Sequence, residues 1–400
     1  MTIHESLSIH NLHHELHKLG KKYGHCFTVH IPNPTVVFTD YDTVKEALVT
    51  RDMNLRSHLP PETLFSLYPE TGIANTDGEV WRVQRRAALR ILREFGMGSN
   101  IMEAQVNRSI DELMNQLKET NDGRTPYDMN LPTDKFIYYN NIFNNHMKNT
   151  KDNIFANIIS AYPWMQNLPI VGWKGYHEPL KNVQPYHEFM LSEVDAALKS
   201  YDADMPPANF VHAYKKQMDQ NPNAGLDMKN MYANAMEFWT AGMETTSTSI
   251  RWALLYMMKH PEKQEKMRQE IFSVVGTDRR PSLTDKPNLP YVNAFIHEVQ
   301  RVANIGPFLL SHKNPEDTTV AGHFIPKGAL TMPQALERLI AFSIGKRACA
   351  GEGLARMELF LIIAALLQQY KFEALGLVDT TPIFSGVLLP TPQMCRVVPV

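Results

Sequence analysis

A mainly α-helical fold with a small β region is predicted by three features of the sequence. Between Asp227 and about His260, apolar residues recur at helical spacing through Met231, Ala235, Phe238, Ile250, Trp252 and Met257, and Pro261 opens another helix behind them. A second apolar-periodic run, 352–361, follows the ten-residue stretch 342–351 without a break. Strand-like patterns occur only as short pieces: 27–31 and 35–39 around Pro32-Asn33-Pro34, a hairpin over 318–330, and the tail 381–400.

With 400 residues, 44% apolar and 20% charged, the chain is long enough to bury a large core. No linker, repeat or low-complexity tract divides it, so a single domain over 1–400 is expected. A net charge of −2 favours neither a nucleic-acid nor a membrane partner. Three cysteines, Cys26, Cys349 and Cys395, cannot build a disulfide framework and suit a reducing compartment. The longest apolar run, 359–367, has nine residues, about half of the ~18 that span a bilayer. Neither a signal peptide nor a transmembrane anchor is expected.

In chain order, 10–22 is polar and periodic and reads as a helix ending near Gly24. Asp40 or Asp42 can cap a helix over 44–48, and a loop runs from Arg56 to about Glu79. Over 81–90, helical spacing stacks Trp81 on Arg85 and lines up Arg82, Arg86 and Arg90 as a second stripe. A solvated basic face is the plain reading of that stripe; an acidic partner protein is the other. Residues 98–117 read as a helix, and 135–151 crowd five asparagines together. The stretch 162–173 holds tyrosine, tryptophans and prolines and no charge, which suits a membrane interface or a packed loop. Helices are expected at 186–199 and 290–302, with Glu298 and Arg301 paired three residues apart on the latter.

The stretch 342–351 reads Phe-Ser-Ile-Gly-Lys-Arg-Ala-Cys-Ala-Gly. Cys349 stands just before a helix start, where unpaired N–H groups and the helix dipole favour thiolate over thiol. Gly345 and Gly351 permit tight turns and close approach to something flat, and Arg347 supplies a cation beside it. A buried cysteine capping a helix is the plain alternative for a lone cysteine. This one lies in the pattern F-x-x-G-x-R-x-C-x-G, the haem-binding signature of the cytochromes P450. Five fixed positions leave on the order of 10⁻⁴ chance matches in a chain this long.

From about residue 10 to the end, the chain resembles an animal microsomal-type cytochrome P450 of the drug-metabolising clan. Trp81 and Arg85 match the W-x-x-x-R of the family's C helix, Ala241-Gly242-Met243-Glu244-Thr245-Thr246 its oxygen-activating segment, and Glu298–Arg301 its E-x-x-R. The resemblance implies haem b, with Cys349 as the iron ligand and Phe342, Gly345 and Arg347 shaping its loop. Trp81, Arg85 and His312 are expected at haem propionates, and Gly242 is expected to open the long helix to a ligand. Thr245 and Glu244 are expected to organise protons for bound dioxygen. Glu298 and Arg301 are expected as a buried pair behind the cysteine loop.

The implied reaction is monooxygenation of a lipophilic small molecule such as a xenobiotic, fatty acid or steroid. Electrons would come from NADPH through NADPH–cytochrome P450 reductase, docked near Arg82, Arg86, Arg90 and Lys346, or through cytochrome b5; no nucleic acid is involved. The resemblance places the chain at the cytoplasmic face of the endoplasmic reticulum, with 162–173 as a peripheral membrane contact, or in the cytoplasm without an anchor. The sequence departs from the family near 135–150 and 333–337, where it is shorter. The Pro-Glu-Arg-Phe-like meander that supplies a second arginine is missing, and Arg338 lies too close to Cys349 to replace it. A haem-free or non-catalytic relic is therefore the alternative reading.

Overall fold

The computed structural model describes residues 12–31, 33–58, 66–95, 100–119, 127–128, 142, 145–146, 153–308, 310–334 and 340–400. Arg338 and most of 135–151 lie outside the described residues. Helices dominate, as the sequence predicts, and the strands form small sheets. Two compact units form, one from residues 1–92, 135–241 and 306–350, the other from 93–134, 242–305 and 351–400.

The first unit holds a five-stranded sheet. Cys26–Ile31 pairs antiparallel with Asn33–Phe38, which runs parallel to Leu330–Pro333; His312–Lys313 and the edge strand Leu55–Arg56 complete the order. The helix Leu12–Tyr23 buries Leu16 and Leu19 against Phe27, Val29 and Val37 of this sheet. Asp40 is the residue that caps the next helix, accepting from the Thr43 N–H at 2.7 Å. Register at the sheet edge sets Arg56 directly opposite His312, a pairing of residues far apart in sequence. Gly78–Glu94 buries Trp81, Gln84, Ala87, Ala88 and Ile91 on one stripe and exposes Arg82, Arg86 and Arg90 on the other. The helix expected at 186–199 is longer, Glu178–Lys199. It runs through Pro185, whose missing N–H makes a proline look like a helix boundary in sequence.

The second unit is built around Glu352–Gln369, a helix with buried residues on every side from Met357 to Gln368. An all-round apolar helix must be enclosed. Val106, Ile110, Trp252, Leu255, Ile296 and Val299 share its core. Large side chains of this kind contribute about 1.5–3 kcal/mol each when fully buried. Trp252 also satisfies its indole by donating to the Leu388 carbonyl at 2.8 Å, which ties down the hairpin Pro382–Ser385 and Val387–Pro390. Tyr370–Ala374, Met394–Pro399 and Tyr127–Asp128 make a three-stranded sheet.

The long helix is Met228–Lys259, 32 residues, beginning in the first unit and ending in the second. Asp227 starts it by accepting from the Asn230 N–H at 2.9 Å. Among the described residues no helix is long and apolar enough to cross a membrane.

Candidate functional site

The cysteine loop is closed by its own backbone. The Cys349 N–H donates to the Phe342 carbonyl at 2.9 Å, and the Ala348 N–H to the Gly345 carbonyl at 3.1 Å. Gly345 has φ +79°, and a Cβ there would stand 2.6 Å from the Leu48 carbonyl oxygen, so only glycine fits. This fold of the loop leaves Cys349 exposed at its tip.

Behind the loop lies a nest of cations. Arg347 is buried and donates to the carbonyls of Asn54 (2.8 Å), Ile73 (3.2 Å) and Thr76 (2.6 Å), and to the Asp77 carboxylate at 2.6 Å. Its guanidinium stacks over the Trp81 ring, 4.1 Å from the centroid, with Arg85 at 6.0 Å from the same ring. Arg85 donates to the Ala348 carbonyl beside the cysteine. Arg56 is buried as well, donating to the Ala74 carbonyl at 2.9 Å and to His312 Nε2 at 3.0 Å. Burial, then the neighbouring Arg56, lowers the Arg347 pKa to about 9.

Of these three guanidiniums only that of Arg347 bonds a carboxylate, Asp77, whose oxygens also accept from the Arg56 main-chain N–H. The other acid nearby, Glu237, accepts from the Ile73 (2.7 Å) and Ala74 (3.1 Å) N–H groups, and burial raises its pKa to about 7. Trp81 is buried and its Nε1–H finds no hydrogen-bond partner among the described residues. An orphaned donor beside surplus buried positive charge is what a ligand bearing carboxylates would satisfy. The donor set fits a haem with its propionates, and a thiolate at Cys349 fits its iron.

His312 is placed differently from the expectation. It is buried, its Nδ1–H donates to the Met53 carbonyl at 2.6 Å, and its Nε2 accepts from Arg56. Burial first, then Arg56, drives its pKa to about 3, so the ring is neutral. Both nitrogens are engaged by the protein, which makes His312 a link between the Met53 carbonyl and Arg56. Arg56 is the residue the sequence reading missed.

On the long helix, Gly242 is exposed and a Cβ there would meet nothing within 4 Å. Thr245 and Thr246 flank the same face, about 60° and 40° away on an ideal helix. Glu244 does not belong with them. It is buried on the opposite side, with Oε1 3.4 Å from the Thr248 hydroxyl and 3.8 Å from Arg251. Glu244 and Thr245, the two residues expected to organise protons, are adjacent in the helix and point about 100° apart. The acid near this face is Glu358, which accepts from the Thr246 hydroxyl at 3.2 Å and whose pKa burial lifts to about 7. An acid within the helical run that follows the cysteine loop was the available signal for it.

Glu298 and Arg301 do pair, with two bonds of 2.7 and 2.8 Å, but their side chains are 58% and 47% exposed. The expected burial is corrected: Val292, Ile296, Val299, Gln300 and Ala303 form the buried stripe, which turns 298 and 301 outward.

The cytochrome P450 family profile matches residues 2–337 and 333–395. Cytochrome P450 2H1 of Gallus gallus is 31% identical over 446 aligned positions, covering 96% of this chain and 88% of the relative. Cytochrome P450 2C70 of Rattus norvegicus is 30% identical, covering 97% and 90%. Among solved structures, a zebrafish cytochrome P450 determined with progesterone has a TM-score of 0.81 at 23% identity, covering 97% of this chain and 99% of that one.

Proposed function

The chain belongs to the cytochrome P450 family, oxidoreductases of the monooxygenase type with a haem iron cofactor, and from that premise we propose that it hydroxylates a lipophilic small molecule with dioxygen and NADPH-derived electrons. The observation that carries this reading is Cys349, exposed on a loop that the buried guanidinium of Arg347 ties to the Asn54 and Thr76 carbonyls. The cofactor we assign is haem b, which supplies the iron at which dioxygen is bound and activated. Cys349 Sγ would ligate that iron. Arg56, Arg85, Arg347 and the Trp81 indole would hold the porphyrin carboxylates.

The chain's own residues then have separable tasks. Gly242 leaves the long helix without a side chain at the exposed step beside Thr245. The Thr245 hydroxyl holds the proton destined for oxygen. Glu358 retains a proton near neutral pH and reaches the same helix face through Thr246. Glu244 serves to fix Thr248 and Arg251.

Electrons would arrive from NADPH–cytochrome P450 reductase or cytochrome b5 at the exposed stripe of Gly78–Glu94. Arg86 and Arg90 stand there without an ion pair among the described residues, while Arg82 is held by Glu79 and Lys346 by Asp52. Such surface pairs are worth about 0–1 kcal/mol and yield readily to an acidic partner. A microsomal location at the endoplasmic reticulum fits the charge-free stretch 162–173, where Trp164 is 63% and Ile170 67% exposed.

Turnover with reductase, NADPH and ¹⁸O₂ tests the reaction: one labelled oxygen should enter an apolar product. In Thr245→Ala, NADPH oxidation should continue while product formed per NADPH falls and peroxide rises. Unchanged coupling would place the proton path elsewhere, and unlabelled product would refute monooxygenation.

A further inference from the structure

Asp77 immediately precedes the helix Gly78–Glu94, the position at which an aspartate ordinarily caps its own helix through its side chain. Its carboxylate is committed elsewhere. Oδ1 lies 2.6 Å from Arg347 Nη2 and 3.0 Å from the Arg56 N–H, and Oδ2 lies 3.1 Å from that N–H and 2.6 Å from His58 Nε2. Three separate pieces of chain therefore meet at one side chain. They are the edge strand carrying Arg56, the cysteine loop carrying Arg347, and the helix start that carries Trp81 and Arg85. The main chain joins in, since the Trp81 N–H approaches the Asp77 carbonyl at 3.3 Å.

Charge makes the arrangement more than a fastening. Asn54, Ile73 and Thr76 supply Arg347 with three neutral carbonyl acceptors, and Asp77 is its one carboxylate partner among the described residues. What Asp77 adds is a carboxylate against the Arg347 guanidinium, two residues from Cys349, in a partly buried place where fields are weakly screened.

We propose that Asp77 is a positioning residue for the haem site, holding the Arg56 main chain and Arg347 in register, and that its charge sets the haem reduction potential. This rests on the haem reading given above. Ferric haem carries one more positive charge than ferrous haem, so a fixed nearby anion favours the ferric form and lowers the potential.

The test is spectroelectrochemical titration of the purified haem-loaded chain against Asp77→Asn and Asp77→Glu. Asparagine keeps an acceptor and the approximate shape but loses the charge; glutamate keeps the charge and changes the shape. A positive shift of the midpoint in Asp77→Asn, with Asp77→Glu close to the parent, is the expected result. Loss of haem from Asp77→Asn with retention by Asp77→Glu also supports the assignment, because charge again decides. Equal midpoints in all three proteins overturn it, as does haem loss from both variants or a shift in Asp77→Glu alone. A parent chain that takes up no haem refutes the haem reading itself, and with it this inference. A haem-loaded parent with unmoved variants refutes the inference alone.

Discussion

Arg347 and Arg301 are both arginines of signature motifs, and each bonds a carboxylate within 3 Å, Asp77 in the first unit and Glu298 in the second. Their surroundings could hardly differ more. The Arg347 side chain is 3% exposed and is bound by four protein acceptors, whereas Arg301 is 47% exposed and, among the described residues, bonds the Glu298 carboxylate alone. Buried charge is costly unless every donor is matched, so a protein that retains it has built something around it. An exposed bidentate pair is only a local helix interaction. Motif membership therefore says where a residue falls in the chain, and burial says what it does.

Removing Arg347 should have the largest effect. Arg347→Ala strips a buried cation from Asp77 and three carbonyls and should cost about 3–5 kcal/mol. Haem content of the purified protein and the urea midpoint should drop together. Arg347→Lys should recover little, since an ammonium cannot reproduce the planar fork. A variant that unfolds at the parent midpoint and keeps haem would mean that the nest is incidental.

A smaller effect sharpens the same contrast through pH. Burial raises the Glu237 pKa from 4.5 to about 7 in the folded chain. Between those values the unfolded chain ionises while the folded chain keeps its proton. Stability must then fall as pH rises from about 4.5 to 7, by up to roughly 3 kcal/mol. Glu237→Gln should flatten that slope and keep an acceptor for the Ile73 and Ala74 N–H groups. Glu298 goes the other way, because the Arg301 hydrogen bond lowers its pKa. Its contribution is present above the ordinary glutamate pKa and is lost as pH falls through the lowered one. Urea midpoints from about pH 4 to 8 check both signs, and a Glu237→Gln slope equal to the parent's would contradict the first.

The smallest effect belongs to the exposed pair. Glu298→Ala and Arg301→Ala should each cost under about 1 kcal/mol, as surface pairs do. A loss of several kcal/mol from either one would show that 298 and 301 are covered in solution.

Much of the helical order was legible in the sequence, because periodicity, Pro290 and Asp227 act locally. Cys349, Gly345 and Arg347 were legible too, since they share one loop. What sequence could not supply were partners brought together from afar. Arg56 meets His312 across 256 positions, Ile73 meets Glu237 across 164, and Thr246 meets Glu358 across 112. Nor could the E-x-x-R pattern announce its own exposure; that follows from which stripe of Pro290–Ala303 is buried. That Glu244 turns toward Thr248 and Arg251 rather than sharing a face with Thr245 follows from helix geometry, since neighbours in a helix do not share a face.

The central claim is that Cys349 is the thiolate ligand of a haem held by the arginine nest. The most direct measurement is the carbon monoxide difference spectrum of the reduced protein, taken for the parent and for Cys349→Ser, Cys26→Ser and Cys395→Ser. The account predicts a thiolate-type band in the parent and in both variants of the buried cysteines, and its disappearance in Cys349→Ser alone. A thiolate-type band that survives in Cys349→Ser, or a parent that binds no haem, would contradict it.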